Sequence, residues 1–141
     1  MNRWWPLFAA LAVALVATAG SLFFSEVMKL PPCVLCWYQR IAMYPLIPIL
    51  ALGLVLEDAR CALYATALLL PGLVTAVYHN LLYYGVLPES VSPCTQGISC
   101  TSKQIEWFGF ITIPSLSLVG FVLIAACLWA FHRSKRKETL A

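Results

Sequence analysis

Apolar residues fall into four long blocks along this chain, and short polar segments separate the blocks. The blocks cover Trp4–Phe24, Ile41–Leu56, Cys61–Leu82 and Trp107–Phe131. A helix needs about 20 apolar residues to cross roughly 30 Å of hydrocarbon, and the first, third and fourth blocks are long enough. The second block alone would span only about 24 Å. We therefore expect its helix to begin earlier, within the stretch "PPCVLCWYQR".

This pattern predicts an all-α membrane protein, with a single membrane domain over 1–141 that forms a four-transmembrane-helix bundle. The helices are expected at about 4–27, 34–56, 61–82 and 113–131. Two outward, cysteine-bearing loops are expected at about 28–36 and 83–112. Composition agrees, because only 11% of the residues are charged, against about 25% in soluble domains. Ala17-x-Ala19 resembles a signal-peptide cleavage site, but the apolar run is too long for one, so we expect the first helix to be retained.

Lysine and arginine are unevenly distributed between the two sides of this bundle, and cytoplasmic segments carry the excess. The side with both termini has six: Arg3, Arg60, Arg133, Lys135, Arg136 and Lys137. The other side has three: Lys29, Arg40 and Lys103. We expect both termini in the cytoplasm and both loops outside the bacterial cytoplasmic (inner) membrane. The net charge of +3 then indicates topology and attraction to anionic lipid, not nucleic-acid binding.

The six cysteines form two groups under this topology. Four lie in outward segments, where an oxidising environment favours pairing: Cys33, Cys36, Cys94 and Cys100. Cys61 and Cys127 lie in apolar blocks and are expected to be ordinary core residues.

The Cys33-x-x-Cys36 pair follows Pro31 and Pro32, which cannot continue the first helix but suit the start of the next. We expect Cys33 at the helix start and Cys36 in its first turn, where the helix dipole favours a thiolate. Arg40 lies four residues after Cys36 and seven after Cys33, so we expect all three side chains to share one face of the helix.

Two structural interpretations of these cysteines compete with redox chemistry. A disulfide within C-x-x-C closes so small a loop that it stabilises little. A zinc site would recruit Cys94 and Cys100, whose separation is wider than the usual ligand spacing. We therefore favour redox chemistry over a structural bridge and expect no metal site. Cys94 and Cys100 lie in a flexible loop, where a structural disulfide and a thiol relay both remain open.

Electrons taken up by the dithiol need an acceptor. No flavin or nicotinamide fingerprint is visible, and haem ligands are scarce, since the chain has two histidines. A membrane quinone, ubiquinone or menaquinone, is the natural candidate. Arg40, and His79 near the outer end of the third helix, could both donate hydrogen bonds to a quinone carbonyl, although a histidine in such a position is often a bystander.

The segment "SKQIEWFGFITIP" precedes the last helix. Its apolar residues recur every three positions, which is compatible with a short amphipathic helix on the membrane surface. An irregular entrance to the fourth helix is an equally good interpretation.

The stretches "PPCVLCWYQR" and "VYHN", the outward cysteine pair and "SKQIEWFGFITIP" together resemble the DsbB/BdbC family of membrane thiol oxidases. The resemblance implies that Cys33–Cys36 passes electrons to a quinone, with Cys36 in contact with it and Arg40 and His79 in the quinone site. It also implies that a partner, an extracytoplasmic DsbA-like oxidase with a thioredoxin fold, attacks Cys94, and that Cys100 exchanges with the first pair. The close spacing of Cys94 and Cys100 resembles the shorter BdbC-like members.

Two other functions remain open at this point. One is a quinone-linked reductase resembling vitamin K epoxide reductase, although there the C-x-x-C lies on a late helix. The other is a non-enzymatic membrane subunit whose outer loops are stapled by disulfides.

Overall fold

A computed structural model describes residues 3–103, 106–107, 109 and 111–141. Five α-helices, two single-turn segments and two short strands make up the described chain. They are α1 (Trp5–Leu22) with a π-helical turn (Phe23–Val27), α2 (Val34–Met43), α3 (Leu46–Val55), α4 (Cys61–Tyr83), a 3₁₀ turn (Glu89–Val91), β1 (Glu106–Trp107), β2 (Ile111–Thr112) and α5 (Ile113–Leu140).

Four helical stretches are long and apolar enough to cross a membrane: Trp5–Val27, Val34–Val55, Cys61–Tyr83 and Ile113–Leu140. The predicted fold class, an all-α membrane bundle of four spans, is confirmed. The second span begins at Val34, well before its apolar block. The fourth continues beyond its apolar block to Leu140, so the basic tail is helical.

The second span is divided into α2 and α3 by its prolines. Pro45 lacks the N–H that would donate to the carbonyl one turn earlier, and its ring crowds that carbonyl. Tyr44 still donates to Arg40 O at 2.9 Å, and Ile47 restarts the ladder on Tyr44 O at 3.2 Å. The missing N–H of Pro45 therefore accounts for the interruption between α2 and α3.

The core of the bundle is built by α1, α4 and α5, with α2 and α3 packed against them. Small residues let the helices approach closely, as is usual in membrane bundles. Gly72 of α4 is the clearest case, because a Cβ there would lie 2.5 Å from Phe121 Cε1 and 2.8 Å from Ala42 Cβ.

The bundle has two chemically different ends. At one end Arg3 pairs with Glu138 at 3.0 Å, and the Trp4 and Phe131 rings lie 5.5 Å apart. This contact brings the first and last spans together beside the basic tail. Cys33, Cys36, Cys94 and Cys100 lie at the opposite end, around the start of α2 and the end of α4.

Before α5, the described residues form two short strands, β1 and β2, with a turn at Gly109 between them. Glu106 pairs with Thr112 and Trp107 with Ile111 in an antiparallel hairpin, and Gly109 has a φ of 77°. Residues 104, 105, 108 and 110, through which the amphipathic helix would have run, lie outside the described residues. The β-branched run Ile111–Ile113 favours extended backbone, and Thr112 caps α5 through a capping box with Ser115.

Candidate redox site

Cys33 is the N-cap of α2, as the paired prolines predict. Its backbone is extended (φ −76°, ψ 172°), and its sulfur accepts a hydrogen bond from the Cys36 N–H at 3.3 Å. Cys36 lies in the first helical turn, so the prediction for both cysteines is confirmed. Because Cys33 is outside the helix proper, its side chain does not follow the Cys36–Arg40 face but points toward α4.

A disulfide joins Cys94 to Cys100 in the loop that covers this site. The Cys33 and Cys100 sulfur atoms lie within 4.8 Å of each other. The loop is anchored to α4 by a hydrogen bond, in which the Tyr78 hydroxyl donates to Val91 O at 2.5 Å. It is also held by Thr101, which donates to the Glu89 carboxylate at 2.8 Å. The C-x-x-C pair and the loop disulfide are therefore neighbours in space.

His79 of α4 lies between these two sulfur groups and is 2% exposed. Its Nε2 atom is 3.8 Å from Cys33 Sγ and 3.1 Å from the Cys100 carbonyl oxygen. Its Nδ1 atom is 3.0 Å from the side-chain nitrogen of Gln39, which is also buried. When the Gln39 amide donates to Nδ1, the ring proton lies on Nε2 and faces the Cys100 carbonyl and Cys33.

Hydrogen bonds favour the thiolate form of Cys33. The hydrogen bond with the Cys36 thiol lowers the pKa most, and His79 lowers it further, whereas burial raises it by a smaller amount. The pKa of Cys33 is lowered to about 4. The thiolate is the nucleophilic form of cysteine, so this environment favours Cys33 as the nucleophile of the reduced pair.

A cavity of about 590 Å³ opens between α1, α2 and the start of α5. Its walls are mostly apolar, and among its few polar groups are Cys36 and Arg40. Arg40 Nη2 donates to Ser21 O at 2.9 Å, and its guanidinium carbon lies 5.4 Å from the centre of the Trp37 ring. These contacts hold the charge at the wall of the cavity.

A second cavity, of about 30 Å³, lies on the other side of Cys36. Cys33, His79 and Cys100 line it together with Cys36. Cys36 and Ile113 border both cavities, so Cys36 is the member of the dithiol that reaches each of them, whereas Cys33 and His79 line the smaller one.

Comparison with known proteins identifies the family. The model of the family described as "Disulfide bond formation protein DsbB" matches residues 2–131. The chain belongs to this family. A probable disulfide formation protein C 1 from Bacillus anthracis is 40% identical over 131 residues, covering 93% of this chain and 94% of that protein. Disulfide bond formation protein C from Bacillus subtilis is 44% identical over 123 residues, covering 87% and 89%. No solved structure gives a significant match.

Membership confirms the resemblance and the general function. This DsbB-family chain is a multi-pass membrane protein of disulfide bond formation, which makes it a thiol oxidoreductase. The B. anthracis and B. subtilis relatives carry the disulfide formation protein C name, in agreement with the BdbC-like spacing of Cys94 and Cys100.

The structure brings together five of the six predicted site residues of this DsbB-family chain and places the sixth beside them. Cys33, Cys36, His79, Cys94 and Cys100 form one cluster. Arg40 lies in the large cavity, on the other side of Cys36. Cys61, buried against Gly53, and Cys127 are far from this cluster along their helices.

Gln39 is the residue that sequence reasoning missed. A signal was available, because a polar side chain inside a membrane span is a functional candidate by default. Asn80 carries the same signal: its side-chain nitrogen donates to Ala76 O at 2.8 Å and to Pro114 O at 2.9 Å, which links α4 to the start of α5.

Proposed function

We propose that this protein re-oxidises an extracytoplasmic thiol oxidase of the DsbA type and passes the electrons to a membrane quinone. The observation that carries the proposal is the position of the Cys33–Cys36 pair. It lies between the Cys94–Cys100 disulfide on one side and an apolar cavity with a fixed positive charge on the other.

The first exchange takes place in the loop. A thiolate of the partner attacks Cys94, the Cys94–Cys100 bond breaks, and Cys100 leaves as a thiolate. The partner's second thiol then displaces Cys94, so the partner leaves oxidised and the loop holds two electrons as a dithiol.

The second exchange transfers these electrons to the C-x-x-C pair. Cys100 attacks the oxidised Cys33–Cys36 bond at Cys33, its neighbour in the structure, and Cys94 then closes the loop disulfide again. The present arrangement, with the loop disulfide closed and Cys33 and Cys36 free, corresponds to the state after this exchange.

The large cavity fits the head group of a quinone. Its volume lies within the range of about 300–1,000 Å³ typical of small-molecule sites, and its apolar walls suit a lipid-soluble compound. A bound quinone would accept two electrons and two protons from the dithiol. Cys36 would contact it, and Arg40 would stabilise negative charge that develops at the cavity wall.

His79 was predicted to bind the quinone as well, and its position supports a different assignment. Its imidazole contacts Cys33 and the Cys100 carbonyl, on the side of the dithiol that faces the loop. We propose that His79 positions Cys33 next to the loop disulfide for thiol–disulfide exchange.

The proposed location is the bacterial cytoplasmic membrane, with both termini in the cytoplasm. The basic end of the bundle would then face the cytoplasm, and the cysteine end would face the oxidising side, where a DsbA-type partner works. Such a partner has a potential near −120 mV, so the acceptor must be strongly oxidising.

The test is direct. Purified protein is mixed with a reduced DsbA-type partner and a quinone, and quinone absorbance and the partner's thiols are followed together. We expect one quinone reduced for each partner disulfide formed, and no quinone reduction by Cys33→Ser. If the loop disulfide resists the reduced partner and no quinone is consumed, the bridge is structural and the proposal fails.

A further inference from the structure

The small cavity beside the dithiol is lined by an unusual set of side chains. Three cysteines, Cys33, Cys36 and Cys100, and one histidine, His79, are among the residues that line it. Its volume of about 30 Å³ is that of a single small ion or water rather than of an organic molecule. A set of three sulfurs and one nitrogen is a donor set typical of tetrahedral Zn²⁺.

The distances between these donors are close to what a metal needs. The ligand atoms of Cys33, His79 and Cys100 all lie within 4.8 Å of one another. In a tetrahedral site with Zn–S bonds of about 2.3 Å, ligand atoms are roughly 3.8 Å apart. A contraction of about 1 Å is required, and Cys100 can provide it because it lies in a loop rather than in a helix.

A supporting contact is also present. Metal-ligating histidines are usually held through their second ring nitrogen by a hydrogen-bonding partner. His79 has such a partner in Gln39, at 3.0 Å from Nδ1, and its Nε2 atom faces the cavity. Rotation of the Gln39 amide would let its oxygen accept a hydrogen bond from Nδ1–H, which leaves Nε2 unprotonated and free to bind a metal.

The oxidation state of the loop controls this site. While Cys100 is bonded to Cys94, its sulfur is not available as a thiolate ligand. Two-electron reduction of that bond, by a partner dithiol that becomes a disulfide, frees Cys100 next to the already reduced Cys33 and Cys36. All the ligands are then present only in the fully reduced protein.

We propose that the fully reduced protein binds one Zn²⁺ through Cys33, His79 and Cys100, with Cys36 as the fourth ligand. Binding moves no electrons, and each coordinating thiol releases its proton to solvent. Coordination to the metal lowers the nucleophilicity of the sulfurs toward a disulfide, so the metal holds the enzyme in a resting state. Zinc would bind the reduced protein when the electron acceptor is exhausted. It would then compete with re-oxidation of the same cysteines.

The experiment uses the full chain in detergent with Cys61 and Cys127 replaced by serine. The protein is reduced with a phosphine, freed of reductant without oxygen, and titrated with Co²⁺, whose visible absorption reports tetrahedral thiolate coordination. Zn²⁺ is then added to displace it. We expect one metal per reduced chain and at least a tenfold weaker affinity when the Cys94–Cys100 bond is intact. Equal binding by the two forms would overturn the proposal.

A matched pair of variants identifies the ligands. Cys94→Ser and Cys100→Ser lose the same disulfide, so any effect of the bridge on folding is shared. After reduction, Cys94→Ser should bind Co²⁺ like the parent, whereas Cys100→Ser and His79→Ala should lose the spectrum. Gln39→Leu should weaken binding by about 10–100-fold, as loss of an outer-shell partner does. If Cys100→Ser binds as well as Cys94→Ser, the site is not the one proposed. Neither partner nor quinone is present, so failure here leaves the proposed function untouched.

Discussion

At the scale of single residues, the two members of the C-x-x-C pair differ because they occupy different positions relative to the helix. Cys33 is the extended N-cap and accepts hydrogen bonds from Cys36. Cys36 is inside the first turn and reaches the cavity that holds Arg40. One helix start therefore separates a sulfur that faces the loop from a sulfur that faces the membrane cavity.

The lowered pKa of Cys33 predicts an unusual titration. The thiolate should persist as pH falls and be protonated only near pH 4, whereas an ordinary thiol is protonated below about 8.5. The ultraviolet absorbance of the thiolate, followed against pH with the loop disulfide intact and Cys61 and Cys127 replaced by serine, measures this. The low transition should be absent in Cys33→Ser. A wild-type midpoint near 8.5 would contradict the hydrogen-bonded arrangement.

The positive charge of Arg40 at the cavity wall leads to a second prediction for a single residue. Arg40→Met keeps much of the apolar stem but removes the charge at the cavity wall. We expect quinone reduction to fall by about 100-fold, as when one group that stabilises developing charge is lost. Oxidation of the partner by a pre-formed Cys94–Cys100 bond should continue for one turnover. Single-turnover and steady-state rates, measured side by side, separate the two steps.

Arg40→Lys is the matched control, because it keeps the charge but not the planar guanidinium. It should retain more activity than Arg40→Met. Near wild-type steady-state activity of Arg40→Met at limiting quinone would show that Arg40 is an interfacial anchor only.

At the scale of elements, the loop between α4 and β1 and the start of α2 divide the chemistry between them. The loop disulfide lies in irregular chain, which suits the proposed attack of a partner on Cys94, while α2 and α4 position Cys33 and His79. We expect Cys100→Ala to trap a mixed disulfide between Cys94 and the partner, since the resolving thiol is gone. Non-reducing electrophoresis and mass spectrometry would show it.

Cys94→Ala is the control for that experiment, and it should trap no partner through the loop. Cross-linking of the partner to Cys33 alone, in either variant, would show that the order of exchange is wrong.

Helix packing makes a prediction about Gly72. The Gly72→Ala methyl group would clash with the Phe121 ring and Ala42. Overpacking costs about 1–3 kcal/mol, against a gain of up to about 1 kcal/mol in helix propensity. We expect a lower thermal unfolding temperature in detergent. Gly20→Ala is the matched control, because a Cβ there meets nothing within 4 Å. Equal stability of the two variants would contradict the close packing of α2, α4 and α5.

At the scale of the whole molecule, charge and cysteine chemistry are separated between the two ends of the bundle. The Arg3–Glu138 pair lies at the basic end, and the redox cluster lies at the other. The proposed donor of electrons is aqueous, and the proposed acceptor dissolves in lipid. A dithiol at the edge of a span, with a loop on one side and a membrane cavity on the other, is accessible to both.

The proposed topology is tested by labelling intact cells with a membrane-impermeant thiol reagent. Val86→Cys, in the exposed loop, should be labelled from outside, whereas Lys137→Cys, in the basic tail, should be labelled only after the cells are permeabilised. Both are made in a background without other reactive thiols. The reverse pattern would overturn the orientation and with it the extracytoplasmic thiol chemistry.

The sequence by itself determined the class of the protein and named the six residues of its candidate site that the structure places together or side by side. Four apolar blocks predict four spans because the bilayer sets a minimum helix length. Two prolines predict where α2 begins because proline cannot continue a helix but can start one. The stretches "PPCVLCWYQR", "VYHN" and "SKQIEWFGFITIP", with the outward cysteine pair, together suggested the family, since each is a local feature of the chain.

Only the tertiary structure decided which groups meet. Side chains distant in sequence, such as Gln39, His79 and Cys100, come together through the packing of α2 against α4 and the return of the loop. Helical spacing put Cys33, Cys36 and Arg40 on one face, but that spacing does not apply to an extended N-cap, so Cys33 faces α4 instead. The two cavities on either side of Cys36 are likewise products of packing between elements, which no local pattern in the chain encodes.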